Sequence, residues 1–386
     1  FRLASHLPFN RNGFKFFTAE GGLNKADITE VLEYAASAHI LPFEYNAESV
    51  NLMQMYAAHL RSMISTGVGG DLSNMKIVVD AGNGAGGFFA NNVLAPLGAD
   101  ISGSQFLDPD GTFPNHQPNP ENKEAMESIC RQVRETGADL GIIFDTDVDR
   151  SAAVTSTGKP VSRNAIVALA AAIGADDYPG GTVVTDSITS NELHTFLEDN
   201  LGLKHLRYKR GYKNVINKAI ELSQEGENAF LAIETSGHAA YSDNFYLDDG
   251  AFLAVQTIIN AANLKKEGKV IEYMIADLAE PAESVEIRFN LTADNFSEVG
   301  DKILEDMKAW AEQTEDLSLE LPNYEGVRIN YSLDGHDGWF LLRKSLHDPV
   351  MPLNIESVSE GGVKIALSLI KKFLEGREGI DISVLS

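Results

Sequence analysis

Leu140-Gly141-Ile142-Ile143-Phe144 is an uninterrupted apolar run of strand length, and it limits what this chain can become more than any other stretch. A strand with no polar alternation is a buried one, and buried strands belong to sheets covered by helices. Similar runs stand at 76–80, 182–185 and 229–233. Helical patterns lie among them, at 123–136, 164–173, 191–200 and 214–222, with a further helix at 250–263. Strand alternating with helix predicts mostly parallel or mixed α/β sheets. From Val285 the rhythm changes. Val285-Glu286-Ile287-Arg288-Phe289 alternates like a half-buried strand, with further strands at 326–331 and 338–343 and helices at 296–314 and 361–374. The expected fold is therefore several similar mixed-sheet α/β domains followed by a C-terminal α+β domain with an antiparallel sheet. The boundaries read as 1–70, 71–178, 179–280 and 281–386.

A chain of 386 residues has room for about two to four such domains. Its 44% hydrophobic and 23% charged residues are those of an ordinary globular protein. The net charge of -25 argues against nucleic acid or an anionic membrane surface as a partner, so an anionic ligand needs a local basic pocket. The single Cys130 excludes an internal disulfide, suits a reducing compartment and reads as a small buried apolar side chain. No apolar run approaches the ~18 residues that cross a bilayer, and there is no signal-peptide core. The expectation is a cytoplasmic protein, with a plastid as the other compartment. The chain opens at Phe1 without an initiator Met, and an upstream segment is expected.

Four loops carry chemistry. In Asp145-Thr146-Asp147-Val148-Asp149-Arg150, three carboxylates and a guanidinium fall within six residues. If the run is extended, side chains at i, i+2 and i+4 share a side, so Asp145, Asp147 and Asp149 converge. Such neighbours repel unless a cation sits between them, and a hard divalent ion such as Mg2+ is the natural one. Arg150 then points to a phosphate at the same place. In the opening loop, Ser5 is a candidate nucleophile and Lys15 a candidate proton carrier. In Glu234-Thr235-Ser236-Gly237-His238, Glu234 and His238 can bracket a polyol. In Arg343-Lys344-Ser345-Leu346-His347-Asp348-Pro349, two cations, a hydroxyl and an imidazole cluster as either a phosphate clamp or a charged hairpin. The glycines of 82–87 lack the spacing of a dinucleotide site and the Lys-Ser/Thr pair of a P-loop, and predict a tight turn with close helix packing.

Together these loops resemble the α-D-phosphohexomutase superfamily, the phosphoglucomutase and phosphomannomutase group, along the whole chain. Ala4-Ser5-His6 to Lys15 is similar to its phosphoserine loop, T-A-S-H-N-P followed by N-G-x-K. Asp145 to Arg150 resembles its metal loop, D-G-D-x-D-R, and Glu234 to His238 its sugar loop, E-x-S-G-H. Gly211-Tyr212-Lys213 resembles the G-[FY]-K segment near the substrate. Arg343 to Glu356 is similar to the phosphate loop R-P-S-G-T-x-P ending in Glu, with Arg343, Ser345, Pro349 and Glu356 matching. Leu7, Thr146 and Leu346-His347 depart from the pattern.

The resemblance implies four domains and interconversion of hexose 1-phosphate and hexose 6-phosphate, of glucose and/or mannose, through a phosphoserine and a hexose 1,6-bisphosphate. It makes Ser5 the phosphoryl carrier and, through its phosphate, a metal ligand, with Lys15 and His6 as its catalytic companions. Arg150, Lys213, Glu234, Ser236, His238, Arg343, Ser345 and His347 become substrate-binding, and Mg2+ the cofactor. A monomer or weak dimer that closes about a hinge near Glu280-Pro281 is expected. Two alternatives stand beside it. Phe144-Asp145-Thr146-Asp147 also looks like the D-x-D motif of haloacid-dehalogenase-type phosphatases, with Asp145 as nucleophile and Asp248-Asp249 as further metal ligands. A catalytically silent sugar-phosphate-binding relative is the other.

Overall fold

The structure is a computed structural model that describes residues 16–18, 21–23, 25–38, 48–345 and 348–385. Ser5, His6, Lys15 and His347 lie outside the described residues. The chain divides into two compact units, residues 1–160 with 254–268, and residues 161–253 with 269–386. Among the described residues no helix is long and apolar enough to cross a membrane.

In the first unit, Ile77–Asp80 runs parallel to Leu140–Phe144, which pairs antiparallel with Ser151–Thr155. Every residue of these three strands is buried, the polar Asp80, Ser151 and Thr155 at their ends included. Helix Lys123–Thr136 starts where Asn122 accepts a hydrogen bond from the Ala125 amide and stops at Gly137 in the left-handed region. Its Ala125, Ile129 and Val133 pack on Val78, Ile143 and Val154 of the sheet. The helix expected after the glycine turn is a wide π-type turn over Phe89–Leu94 followed by a 3₁₀ turn over Ala95–Leu97. Pro96 has no amide hydrogen, so it cannot continue a regular ladder.

The second unit holds two sheets. In the first, Thr182–Thr185 lies parallel to both Lys204–Arg207 and Leu231–Ile233, and Ala239–Tyr241 adds antiparallel to the latter. Lys204-His205-Leu206-Arg207 reads as a basic stretch in the sequence because an edge strand need not be apolar. The other sheet is antiparallel throughout, in the order Leu317–Leu319, Val327–Leu333, His336–Leu342, Val350–Ser357, Glu283–Leu291, Ile380–Asp381. Helices Phe296–Glu312 and Gly362–Leu374 pack on it through Ile303, Met307, Ala366 and Ile370. Val350–Ser357 is a central strand that the sequence hides, since Pro349 and Pro352 read as breakers. Pro352 has no amide to donate, but it lies just past the last ladder pair with His336–Leu342, Leu342 against Leu353, and its carbonyl accepts from the Arg343 amide at 3.0 Å.

Arg328 ties the two sheets of this unit together. It is 1% exposed, and its guanidinium lies 3.6 Å over the Trp339 ring. It donates to the carbonyls of Ser187 and Thr189 (3.0 Å each), to Asn191 Oδ1 (2.9 Å) and to Glu320 Oε2 (2.7 Å). Arg207 holds the other oxygen of Glu320, at 2.7 Å. Burial, and then the charge of Arg207, bring the Arg328 pKa down to about 9, so it stays a cation at neutral pH.

Candidate active site

The acidic loop of the first unit leaves the carboxyl end of Leu140–Phe144. Asp145, Asp147 and Asp149 do converge, each offering a carboxylate oxygen within 4.8 Å of the others. They do not converge by strand alternation, which corrects the extended reading. Residues i and i+2 of a strand stand roughly 6.6 Å apart, too far for three side chains to share one small ion. Instead the loop curls: Val148 takes φ +72°, and Asp145 Oδ1 accepts from the amides of Val148 (2.9 Å) and Arg150 (3.3 Å). The glycine turn supports it from behind. Ala85 donates its amide to the Thr146 carbonyl at 2.8 Å, and a Cβ on Gly84 would stand 2.6 Å from that oxygen. A set of carboxylate oxygens fits a hard divalent cation, and these three residues could hold one.

Arg150 is 5% exposed and anchors the loop from within. Its Nη2 lies 3.2 Å from Asp145 Oδ2, and its Nη1 donates to Asn119 Oδ1 at 3.3 Å. The sequence reading missed a second buried pair in this unit. His116 Nε2 is 3.0 Å from both oxygens of Asp80, which also accepts from Gln105 at 2.6 Å and from the Gly82 amide at 2.9 Å. Burial works against the protonated ring, but the hydrogen bond and charge of Asp80 outweigh it and raise the His116 pKa.

In the second unit three loops leave the carboxyl ends of parallel strands, where open α/β sheets bind ligands. After Thr182–Thr185 come the buried Asp186 and Ser187; after Lys204–Arg207, Arg210 and Gly211; after Leu231–Ile233, Glu234 to His238. Glu234 is 4% exposed and accepts from the Gly211 amide at 2.5 Å. Burial, and then the charge of Asp186, push its pKa to about 7, against the pull of His238 and Arg210. Asp186 accepts from Thr235 Oγ1 at 2.9 Å. Ser236 is buried, and its hydroxyl makes no hydrogen bond among the described residues. His238 Nδ1 meets Asp248 Oδ2 at 2.8 Å, and its ring stacks on Tyr212 at 5.0 Å. A carboxyl, a hydroxyl and an oriented imidazole thus lie on one loop, the donor and acceptor set that a polyol needs. Lys213 sits beside Tyr212 in the first turn of helix Tyr212–Gln224.

Arg343 leaves the strand His336–Leu342 and is 8% exposed. Its Nε is buried without a hydrogen bond among the described residues, and burial, then the charge of Arg210, lower its pKa. Ser345 closes the loop, donating its amide to the Val350 carbonyl at 3.0 Å and accepting from the Asp348 amide at 3.3 Å. Glu356 is engaged elsewhere, by Trp339 Nε1 (3.0 Å) and Ser284 Oγ (3.2 Å), and lines a cavity of about 270 Å³ with Glu192 and Asn330. Burial and the charge of Glu192 raise its pKa to about 7. Sequence reasoning did not mark Asp186, Ser187 or Arg210. Only the basic stretch around Arg210 and the Gly211-Tyr212-Lys213 segment carried a signal for any of them.

Comparison with known proteins gives the family and the fold. Residues 54–158 match the family model for phosphoglucomutase/phosphomannomutase α/β/α domain II, and residues 162–281 that for domain III. The chain is 29% identical over 357 residues to a phosphomannomutase/phosphoglucomutase of Pseudomonas putida, covering 92% of this chain and 72% of that one. It is 24% identical to a phosphoglucomutase of Neisseria meningitidis over 97% of this chain and 77% of that one. Among solved structures it resembles a phosphoglucomutase/phosphomannomutase family protein of Burkholderia thailandensis, with a TM-score of 0.78 and 25% identity over 97% of this chain and 75% of that one.

Proposed function

The chain belongs to the α-D-phosphohexomutase superfamily, and from that premise we propose that it interconverts hexose 1-phosphates and hexose 6-phosphates, of glucose and/or mannose. In this reading Ser5 carries the phosphoryl group, Lys15 moves the proton of the attacking or leaving hydroxyl, and His6 assists beside it. Asp145, Asp147 and Asp149 would hold Mg2+, which when bound neutralises charge on the transferring phosphoryl group. Glu234, Ser236 and His238 fix the sugar hydroxyls, Arg343 and Ser345 hold the distal phosphate, and Arg150, Lys213 and His347 are further substrate-binding residues. A hexose 1,6-bisphosphate forms and turns over, so that one serine serves both half-reactions. Positioning and charge complementarity lower the barrier, with little covalent chemistry left to the protein. The division into 1–70, 71–178, 179–280 and 281–386, the hinge near Glu280-Pro281, a cytoplasmic location and a monomer or weak dimer belong to the same reading.

The observation that carries it is the second unit's combination of a polyol-binding set, Glu234, Ser236 and His238, with the buried Arg343, whose Nε makes no hydrogen bond among the described residues. The phosphatase alternative is not favoured. Asp145 is fully buried with both oxygens engaged by its own loop, a poor nucleophile. Asp249 caps helix Gly250–Lys266 through the Phe252 amide at 3.0 Å, and Asp248 orients His238.

The test is turnover of glucose 1-phosphate and mannose 1-phosphate in a coupled assay, with Ser5→Ala and intact-mass phosphosite mapping alongside. The expected result is isomerisation by an enzyme phosphorylated on Ser5 and its loss in the variant. Phosphate release without isomerisation, or full activity in the variant, would sink the proposal.

A further inference from the structure

In the first unit the acidic loop is braced by the segment Pro114-Asn115-His116-Gln117-Pro118-Asn119-Pro120. Its three prolines fix φ and leave the segment little freedom to lose on folding. One end is bolted to the sheet. His116 Nε2 stands 3.0 Å from Asp80 and its Nδ1 3.0 Å from the Gln117 carbonyl, so both ring nitrogens face acceptors. The glycine turn packs on the same residues, since a Cβ on Gly82 would lie 2.8 Å from Pro118 Cβ and 3.1 Å from His116 Cε1. The other end reaches the acidic loop through Asn119. Its amide donates to the Gln117 carbonyl and its carbonyl accepts from the Asn122 amide, each at 2.9 Å. Its side-chain oxygen is aimed by the Glu121 amide, 2.9 Å away, and accepts from Arg150 Nη1 at 3.3 Å. Glu121 Oε2 adds a negative charge 4.0 Å from the same nitrogen.

Arg150 passes that order on to the carboxylates. Its Nε and Nη2 hold Asp145 Oδ2, at 3.3 and 3.2 Å, and its Nε lies 4.0 Å from Asp149 Oδ1. Three carboxylates with oxygens within 4.8 Å of one another push apart, and a guanidinium fixed beside two of them opposes that. A spacing held in advance favours a small ion of strict geometry over a larger and more tolerant one. Mg2+ takes oxygens at about 2.1 Å in a near-ideal octahedron, whereas Ca2+ takes about six to eight of them at about 2.3–2.6 Å in a flexible set. We propose that Asn119 is a positioning residue for the acidic loop and that, through Arg150, it sets the loop's preference for Mg2+ over Ca2+. The proposal rests on the reading of Asp145, Asp147 and Asp149 as the set that holds a metal, and not on the identity of the sugar.

The experiment follows Mn2+ bound to the whole chain by electron paramagnetic resonance and displaces it with Mg2+ or Ca2+, in the wild type and in Asn119→Ala, Asn119→Asp, Asn122→Ala and Asp147→Asn. Asp147→Asn should lose the displaceable Mn2+, which locates that ion at the acidic loop. Asn119→Ala should weaken Mg2+ about tenfold and Ca2+ no more than about twofold. Asn119→Ser, whose hydroxyl falls short of Arg150, should behave alike and serves if the Ala variant fails to fold. Asn119→Asp keeps the accepting oxygen and should restore the ratio of the two affinities; its added charge attracts both divalent ions, so the ratio does not record it. Asn122→Ala removes the cap of helix Lys123–Thr136 and should lower the denaturant midpoint while keeping the ratio within about twofold of the wild type. An unchanged ratio in Asn119→Ala, an equal fall in Asn122→Ala, or no recovery in Asn119→Asp overturns the proposal and leaves the metal loop standing. Mn2+ binding undiminished in Asp147→Asn, or none in the wild type, overturns the metal reading and the proposal together.

Discussion

Glu234→Gln should make this protein more stable and less able to bind sugar at the same time. The carboxyl is 4% exposed, and burial with the neighbouring charge of Asp186 raises its pKa from 4.5 to about 7. At roughly 1.4 kcal/mol per unit, keeping it ionised in the folded state costs about 3 kcal/mol. The sign follows from where the proton sits. In the unfolded chain Glu234 ionises near 4.5, whereas the folded protein holds its proton to about 7. The folded state thus binds more protons between those values, and stability falls as pH rises through that window and stays low above it. Gln keeps an oxygen for the Gly211 amide and has no proton to lose. Its advantage should be small at pH 5 and approach about 3 kcal/mol at pH 8, read from urea unfolding followed by tryptophan fluorescence. Hexose 6-phosphate binding should weaken, because a sugar hydroxyl loses its charged acceptor. An equal effect on stability at both pH values, or a variant less stable at pH 8, would refute the reasoning.

Arg328→Met should destabilise the chain by about 3 to 5 kcal/mol, since it leaves buried carbonyls of Ser187 and Thr189 unpaired and Glu320 with one cation instead of two; Arg328→Lys should recover little, one ammonium being unable to span all those acceptors. Denaturant midpoints check both, and a loss below about 1 kcal/mol for Met counts against the tie. His116 has a raised pKa, so the stability its ion pair with Asp80 contributes is full below about 6.5 and is lost as pH rises through the folded value. The gap in denaturant midpoint between the wild type and His116→Gln should therefore shrink from pH 6 to pH 9, and a constant gap would contradict the assignment. Gly84→Ala pushes a methyl against the Thr146 carbonyl and should weaken Mg2+ or Mn2+ binding by about tenfold, measured by calorimetry; unchanged metal affinity would mean the glycine turn does not support the acidic loop.

Much of the site was legible because its residues lie close together in the chain. Asp145 to Arg150 and Glu234 to His238 each present their chemistry within six residues, directly after an apolar strand. Ile77–Asp80, Leu140–Phe144, Thr182–Thr185 and Leu231–Ile233 were legible for a related reason: a strand buried on both faces is mostly apolar, and Leu140–Phe144 is so throughout. Lys204–Arg207 and Val350–Ser357 were not. One is a polar edge, and the other carries Pro352 inside it and starts just after Pro349, both of which read as breakers.

Residue order alone therefore determined the family, the layered fold class and the short clusters able to hold a cation or a polyol, because those depend on local period and spacing. Tertiary structure decided what no spacing encodes. It curled the acidic loop so that three carboxylates could meet, which a flat strand would have prevented. It also set Glu325 against Ser187 and the Arg210 amide across more than a hundred residues, and turned Arg328 inward as a tie between two sheets. Such pairings arise when separate sheets bury their edges together, and a linear pattern carries no record of which distant side chains that burial brings face to face.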